Sequence, residues 1–287
     1  MTNLAALTTD LQTRFADKEG RFLTEADAHR YLNVAYHEFC GKTDALRRET
    51  GIPVVANQYM YEQPRDFVKP GIMMWMKDTR RRLEFKPLRY FAEYGGLDLT
   101  RTGPPYFYTY HIGELGASGG QLRLWPSPTS SSETTTHPGN IGASVSTITV
   151  VSTANFRDRG WVKLGQEQIL YYSKTPTTFN QCERGVGGSI AGTHLAGGTV
   201  TQLDIHMWYY YQDTDMTGGT QSPQFPEPFH DCLVVGALYR ALLSDGREQQ
   251  ARPALQEWAG MLGWGKSEFQ KAQSSNFLNI GRQSGYD

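Results

Sequence analysis

The stretch "GGQLRLWPSPTSSSETTTHPGN" (Gly119–Asn140) contains a strand with no partner beside it. Leu122 and Leu124 alternate with Gln121 and Arg123, Trp125-Pro126-Ser127-Pro128 ends the run, and a Ser/Thr-rich segment follows. A strand must satisfy its backbone N–H and C=O groups somewhere, and the next comparable run is "QLDIHMWYYYQD", Gln202–Asp213. The interval from Thr129 to Gln202 carries β signals of its own in "STITVVS", "GWVKLGQEQILYYS" and "FNQCERG", then returns through the glycine-rich "VGGSIAGTHLAGGTV". Within it, Gly165-Gln166 between Val162–Leu164 and Glu167–Tyr172 predicts a type II′ hairpin, since glycine accepts positive φ at the first central position. These features predict a small all-β module, residues 129–202, reached through a flexible Ser/Thr-rich linker. It is inserted into a hairpin whose arms, Gln121–Trp125 and Leu203–Tyr211, are adjacent antiparallel strands. Exposed turns accept such insertions because each doubling of loop length costs only about 0.6 kcal/mol. The competing arrangement is one continuous β domain in which those two strands are not neighbours.

The flanking sequence forms a coherent unit without the insert. Leu4, Leu7, Leu11 and Phe15 recur at helical spacing, and "TEADAHRYLNVAYHEFCG" follows with Thr24 as its cap, an apolar stripe through Ala28, Tyr31, Leu32, Ala35 and Phe39, and Gly41 as its terminator. From Ile52 the period shifts to two, through "NQYMYEQP", "GIMMWMKD", "RRLEFKP" and "PPYFYTYHI". "PFHDCLVVGALYRALLSDG" is apolar on nearly every side, which marks a helix buried among helices, with Pro228 in its first turn and Gly246 at its end. A last helix is expected from about Ala254 to Ala272, and the closing "SSNFLNIGRQSGYD" has no period. The expected fold is α+β: a helical bundle packed with a small antiparallel sheet (1–128 and 203–273), an inserted all-β domain (129–202) and an extended C-terminal arm (274–287).

Composition excludes several function classes. A net charge of −1 gives no overall attraction for nucleic acid or anionic lipid. Arg80, Arg81 and Arg82, like Arg47-Arg48, sit among acidic residues, as a solvated face would. Cys40, Cys182 and Cys232 are far apart with no CxxC spacing, so buried free thiols in a reducing compartment are expected. The start "MTNLAALTTDLQTRF" lacks a basic, apolar leader, and no run is long enough to span a bilayer.

Catalytic and metal motifs are equally sparse. His29 and His37 stand too far apart on one helix to share a metal, and "DTD" (Asp213–Asp215) lacks the glycine and glutamate of a calcium loop. Asp204 with His206, His111 with Glu114 and His230 with Asp231 are isolated pairs, and "RGVGGSIAG" fails the spacing of a phosphate cradle. No nucleophile elbow appears. Neither cofactor nor enzymatic activity is expected. A binding role remains open for residues 129–202, whose Trp161, Tyr171, Tyr172 and Phe179 could offer stacking faces for a glycan or contacts for another protein, although aromatics at strand spacing are more often core.

The flanking unit resembles the head–tail adaptor (connector) proteins of tailed bacteriophages. The pieces that carry the likeness are "YLNVAYHEFC", "YMYEQPRDFVKPGIMMWMKD", "RRLEFKPLRYF", "QLRLWPSP", "HMWYYYQDTDM" and "EPFHDCLVVGALYRALL", in that order. The insert departs from the short turn usual in that family and is similar to small β modules of phage structural proteins. The resemblance implies a structural virion protein at the capsid neck, assembled in the host cytoplasm. It implies a homo-oligomeric ring, commonly twelve-fold, docked beneath the portal with a tail or nozzle protein below it. DNA would pass through a central channel with transient, non-specific contact, and no membrane is involved. On this reading Phe277, Leu278, Ile280 and Tyr286 anchor the C-terminal arm to the portal, and Arg80, Arg81 and Arg82 are candidates to face the channel. A tail-completion or stopper protein is the neighbouring reading, disfavoured by the buried helix Phe229–Leu243.

Overall fold

The computed structural model describes residues 2–17, 22–78, 80–90, 101–111 and 120–282, without the side chains of 111 and 272–282. It is a mixed α+β chain that divides into two compact units, residues 1–47 with 210–287 and residues 48–209.

The first unit is helical: α1 (Leu4–Arg14), α2 (Glu25–Thr43), α3 (His230–Ser244) and α4 (Glu248–Arg282). Caps fix the starts. Asn3 Oδ1 accepts the Ala6 N–H at 2.9 Å, and Thr24 Oγ1 accepts the Asp27 N–H at 3.2 Å, each satisfying a donor the first turn leaves open. The expected stop at Gly41 does not occur. The helix runs on to Thr43, and Asp44 takes the left-handed conformation (φ 60°), its short polar side chain tolerating what bulkier residues would not. Gly246 does end α3. Its N–H meets the Leu243 carbonyl at 3.1 Å while the Arg247 N–H reaches back to Leu242 at 2.9 Å, the crossed pair that closes a helix on a left-handed glycine.

Leu4 and Leu11, Leu32 and Phe39, Leu233 and Val234, and Trp258 form the core, one set from each helix. Asn33 is buried with them and bonds both backbone groups of Met216, at 2.8 and 3.0 Å, which secures the polar segment between the last strand and α3. Gly236 lets α3 approach α4, since a Cβ there would stand 2.9 Å from two atoms of the Trp258 ring. Gly236→Ala should therefore overpack this contact and cost about 1–3 kcal/mol. The check is the urea midpoint of unfolding; an unshifted midpoint would mean that the indole moves aside freely.

The helix α4 is longer than the sequence suggested, and the arm expected to be extended is helical from Ser274 through Arg282. "SSNFLNI" holds neither proline nor glycine, and once a turn exists upstream each further residue is added for one hydrogen bond without renewed nucleation. Residues 283–287 lie outside the described part.

The second unit is built of small sheets. Arg47–Ile52 (β1), Ile205–Tyr211 (β16), Phe67–Trp75 (β3) and Arg81–Arg82 (β4) form one sheet in the order β1-β16-β3-β4. Met60–Glu62 (β2), Gln121–Trp125 (β7), Phe107–His111 (β6) and Glu84–Phe85 (β5) form another in the order β2-β7-β6-β5. The predicted pairing of Gln121–Trp125 with Leu203–Tyr211 is thus wrong. Both edges of β16 are taken by β1 and β3, while Leu122 of β7 faces Tyr61 on one side and Tyr110 on the other. Instead β16, from after residue 202, lies between two strands from before residue 129. Ile205, His206 and Met207 are buried in succession, as a central strand covered on both faces requires.

Residues 134–202 make sheets of their own. Thr134–Thr136 (β8), Gly160–Leu164 (β10), Glu167–Tyr171 (β11), Glu183–Val186 (β14) and Thr199–Gln202 (β15) run in the order β14-β11-β10-β15-β8. Ile148–Thr149 (β9), Ser173–Thr175 (β12) and Thr178–Asn180 (β13) form a three-stranded sheet in the order β12-β13-β9. The predicted hairpin is present, with Leu164 opposite Glu167 and Gly165 at φ +61°. Val162, Ile169, Tyr171, Phe179 and Val200 fill the core of this module.

Candidate functional site

The chain segments around Glu133 and Gln202 meet at one fully buried carboxylate, that of Asp204. The backbone N–H of Gln202 bonds the Glu133 carbonyl at 2.8 Å, which brings the two segments side by side. Asp204 Oδ2 accepts from Ser132 Oγ at 2.7 Å, and Oδ1 accepts from Gln202 Nε2 at 3.0 Å. Two cations compensate its charge. Arg157, from the segment before β10, stands 3.1 Å from Oδ1, and Lys77, from the turn after β3, stands 3.9 Å from Oδ2. Burial pulls the Arg157 guanidinium below its usual pKa, and the field of Asp204 opposes that.

The segment expected to be a flexible linker is bonded instead. Ser132 Oγ accepts the Val54 N–H at 2.8 Å, Ser131 Oγ accepts the Ala56 N–H at 3.0 Å, and Lys77 Nζ donates to the Ser131 carbonyl. Serine hydroxyls bond readily to nearby backbone, so a Ser-rich run tightens when a strand edge lies beside it.

A second contact ties β11 to β1, an edge strand. Gln168 Oε1 accepts the Gly51 N–H at 2.9 Å while Gln168 Nε2 donates to Thr50 Oγ1 at 2.8 Å and approaches the Gly51 carbonyl at 3.4 Å. The side-chain amide so occupies the place of a neighbouring strand's peptide group and covers an edge that would otherwise be open to pairing. Beside it lies an open cleft of about 660 Å³ whose walls include Arg48, Glu62, Asp66, Lys163 and Tyr209. Arg48 pairs with Asp66, and Tyr209 donates to the same carboxylate at 2.9 Å. Cations and carboxylates share its walls, so it has no strong preference for either sign of ligand charge.

A third cluster gathers around the first residue of β11. Glu167 is buried, and its oxygens accept from Arg184 Nε at 2.7 Å, Arg184 Nη2 at 2.8 Å, and the N–H groups of Gly185 and Gly192, each at 3.1 Å, with His194 Nε2 at 2.7 Å. Burial alone would raise its pKa, but the Arg184 and His194 bonds and the Gly192 N–H outweigh that and hold it at about 2.

The residues singled out from sequence fall as follows. Arg80 is exposed, and Arg81 lies opposite Trp75 with its guanidinium 4.1 Å above the Tyr106 ring. Arg82 borders a second hollow, of about 530 Å³, walled by Leu83, Phe85, Tyr108 and Tyr110. Among the described residues none of the three arginines pairs with a carboxylate. Phe277, Leu278 and Ile280 sit on the helical backbone of α4 with side chains outside the described set, and Tyr286 lies outside it altogether.

Trp161, Tyr171 and Phe179 are buried and present no stacking face; Tyr172 is exposed and bonds Glu183. Asp204 and His206 do not converge on a shared ion, since His206 packs against Trp161 at 5.4 Å. Asp213 accepts from Tyr36 and Asp215 faces His37 at 2.6 Å, while Asp231 pairs with Arg14, and Glu114 and the side chain of His111 lie outside the described set. Burial raises all three cysteine thiols, Cys182 and Cys232 to about 11. Among the described residues no group of three or more metal-binding side chains gathers, and no helix is long and apolar enough to cross a membrane.

Sequence reasoning missed Lys77, Ser132, Arg157 and Gln168. One signal was available: an aspartate inside the apolar run "LDIHM" needs buried partners. Compared with known proteins, residues 2–279 match the family model described as SU10 adaptor protein. No curated protein matches.

Proposed function

The chain belongs to the SU10 adaptor protein family of phage head–tail adaptors, and from that premise we propose that it forms a closed ring, commonly twelve-fold, between the portal above and a tail or nozzle protein below. Its role is that of a structural component of the virion neck. Assembly takes place in the host cytoplasm, and the ring encloses a channel through which DNA leaves. The observation that carries this reading is the near full-length family match, residues 2–279, on a chain whose helical unit joins its two ends. Residues 129–202 are an added module on the adaptor core, and Arg80, Arg81 and Arg82 meet the DNA transiently as it passes. Such contacts must stay few, since each neutralised phosphate strengthens binding and slows movement. A map of the portal vertex by cryo-electron microscopy tests the whole reading; density for this chain anywhere but between portal and tail would end it.

The C-terminal segment 274–287 is the portal anchor. Burying Phe277, Leu278, Ile280 and Tyr286 is worth roughly 1.5–3 kcal/mol each at most. Ordering an extended arm costs about 1–2 kcal/mol per residue, a cost reduced here because Ser274–Arg282 is already helical. One arm binds weakly, and a ring of arms binds well because each docked arm raises the effective concentration of the next. Deleting 274–287 should abolish cosedimentation with the portal while leaving the circular dichroism of the remaining chain nearly unchanged. Undiminished cosedimentation would remove the anchor from the proposal.

A further inference from the structure

Three cations of the second unit are mounted on aromatic rings. The Arg81 guanidinium lies 4.1 Å above the Tyr106 ring and that of Arg101 lies 4.8 Å above Trp125. Lys86 Nζ stands 5.1 Å from the Tyr90 ring and 5.2 Å from Phe107. The rings also touch one another. Phe107, opposite Trp125 in the β6–β7 register, stacks on it at 6.1 Å with 14° between the planes. Tyr90 and Tyr106 lie 5.8 and 6.4 Å from Phe107. One run of contacts thus carries Arg81, Lys86 and Arg101 together, with Arg89 next to Tyr90 in the chain.

A ring holds a cation in place without cancelling its charge, whereas a carboxylate does both. Lys86 has a carboxylate as well, Glu84 at 2.6 Å. Arg81, Arg89 and Arg101 have none among the described residues, and Arg89 and Arg101 are exposed. The surrounding sequence adds to the field. From Arg80 to Trp125 there are seven Arg and Lys against four Asp and Glu, a balance of +3 on a chain whose total is −1.

Cations fixed along a surface suit an extended polyanion; a small anion would need them to converge on one point. The rings are engaged by cations and by each other, so they serve as mounts and leave little for unpaired bases to stack on. An acidic protein segment is read through side-chain pockets. Here Phe107 and Trp125 are packed together, with no gap between them to form one. We infer that Arg81, Arg89 and Arg101 take backbone phosphates of duplex DNA, without regard to its sequence. This rests on the reading above that DNA passes through the ring, and it extends the DNA-facing surface from Arg80, Arg81 and Arg82 to the rings of β6 and β7. Three phosphates are few enough to leave the DNA free to move, since affinity then falls about 40-fold between about 50 and 200 mM salt.

The test is fluorescence anisotropy of short labelled duplexes of two unrelated sequences, with the full-length chain and with R89A/R101A, which alters exposed positions only. The wild type should bind both duplexes alike and lose affinity about 40-fold from about 50 to 200 mM salt. The variant should keep its circular dichroism, bind more weakly, and lose only about fourfold over the same range, because one contact remains. A wild type that ignores duplex at the lower salt would overturn the inference, as would a variant with unchanged affinity and salt dependence. Tighter binding to a single strand of the same length would also overturn it. Polyglutamate bound more tightly than the duplex would do so in favour of an acidic protein segment. None of these outcomes touches the ring reading, which stands or falls on where the chain lies in the map of the portal vertex.

Discussion

Asp204→Asn should destabilise the β unit by roughly 3–5 kcal/mol, the usual consequence of leaving buried cations without their counter-charge. Arg157 and Lys77 are mostly buried, with side chains 18 % and 13 % exposed, and neither can turn to bulk water without opening the junction. The asparagine amide also presents donors to two groups that can only donate. Hydrogen exchange gives the local readout: the Val54 and Ser132 amides, which bond Ser132 Oγ and the Val54 carbonyl at 2.8 Å each, should lose protection first. An unchanged thermal midpoint would mean that Asp204 is not the keystone of the junction.

Glu167→Gln should cost a similar amount, about 3–5 kcal/mol. Arg184 has a side chain 7 % exposed and depends on this carboxylate for its charge balance. The effect also carries a pH signature. Because the folded-state pKa is about 2 against an ordinary 4.5, the stabilisation by Glu167 is complete above about pH 4.5 and fades as the pH falls through 2. The gap in melting temperature between wild type and the glutamine variant should therefore be wide near neutrality and narrow steadily through that acid window. A gap of constant width across it would show that the carboxylate is not the group being titrated.

The parts of the fold that could be read from sequence were those specified locally. Thr24 caps α2 and Gly246 closes α3 because both signals act within one turn of the helix they bound. Gly165 sets the β10–β11 hairpin for the same reason. Strand partners are a different matter. Alternation in "QLRLW" tells which side chains share a face and nothing about which strand lies alongside, so the pairing with Leu203–Tyr211 was mistaken. The strand β1 was missed outright, because "RRETGI" has charge at its start and glycine near its end, and only Thr50 to Ile52 are buried. The junction was hidden for a related reason. Ser132, Arg157 and Lys77 lie far apart in sequence and look like surface residues until the fold brings them to Asp204. The aromatic residues Tyr171 and Phe179, which strand spacing favours as core over a binding face, are core.

The Gln168 amide that stands in for a strand at Gly51 bears on whether residues 134–202 can be removed from the chain. A portable cassette could be cut away and its stump religated with a few residues. Here excision would strip β1 of its cover and strand a naked acid at the stump. A chain shortened by residues 134–202 would therefore need new side chains at Gly51, Lys77 and Asp204 before its remaining strands could hold.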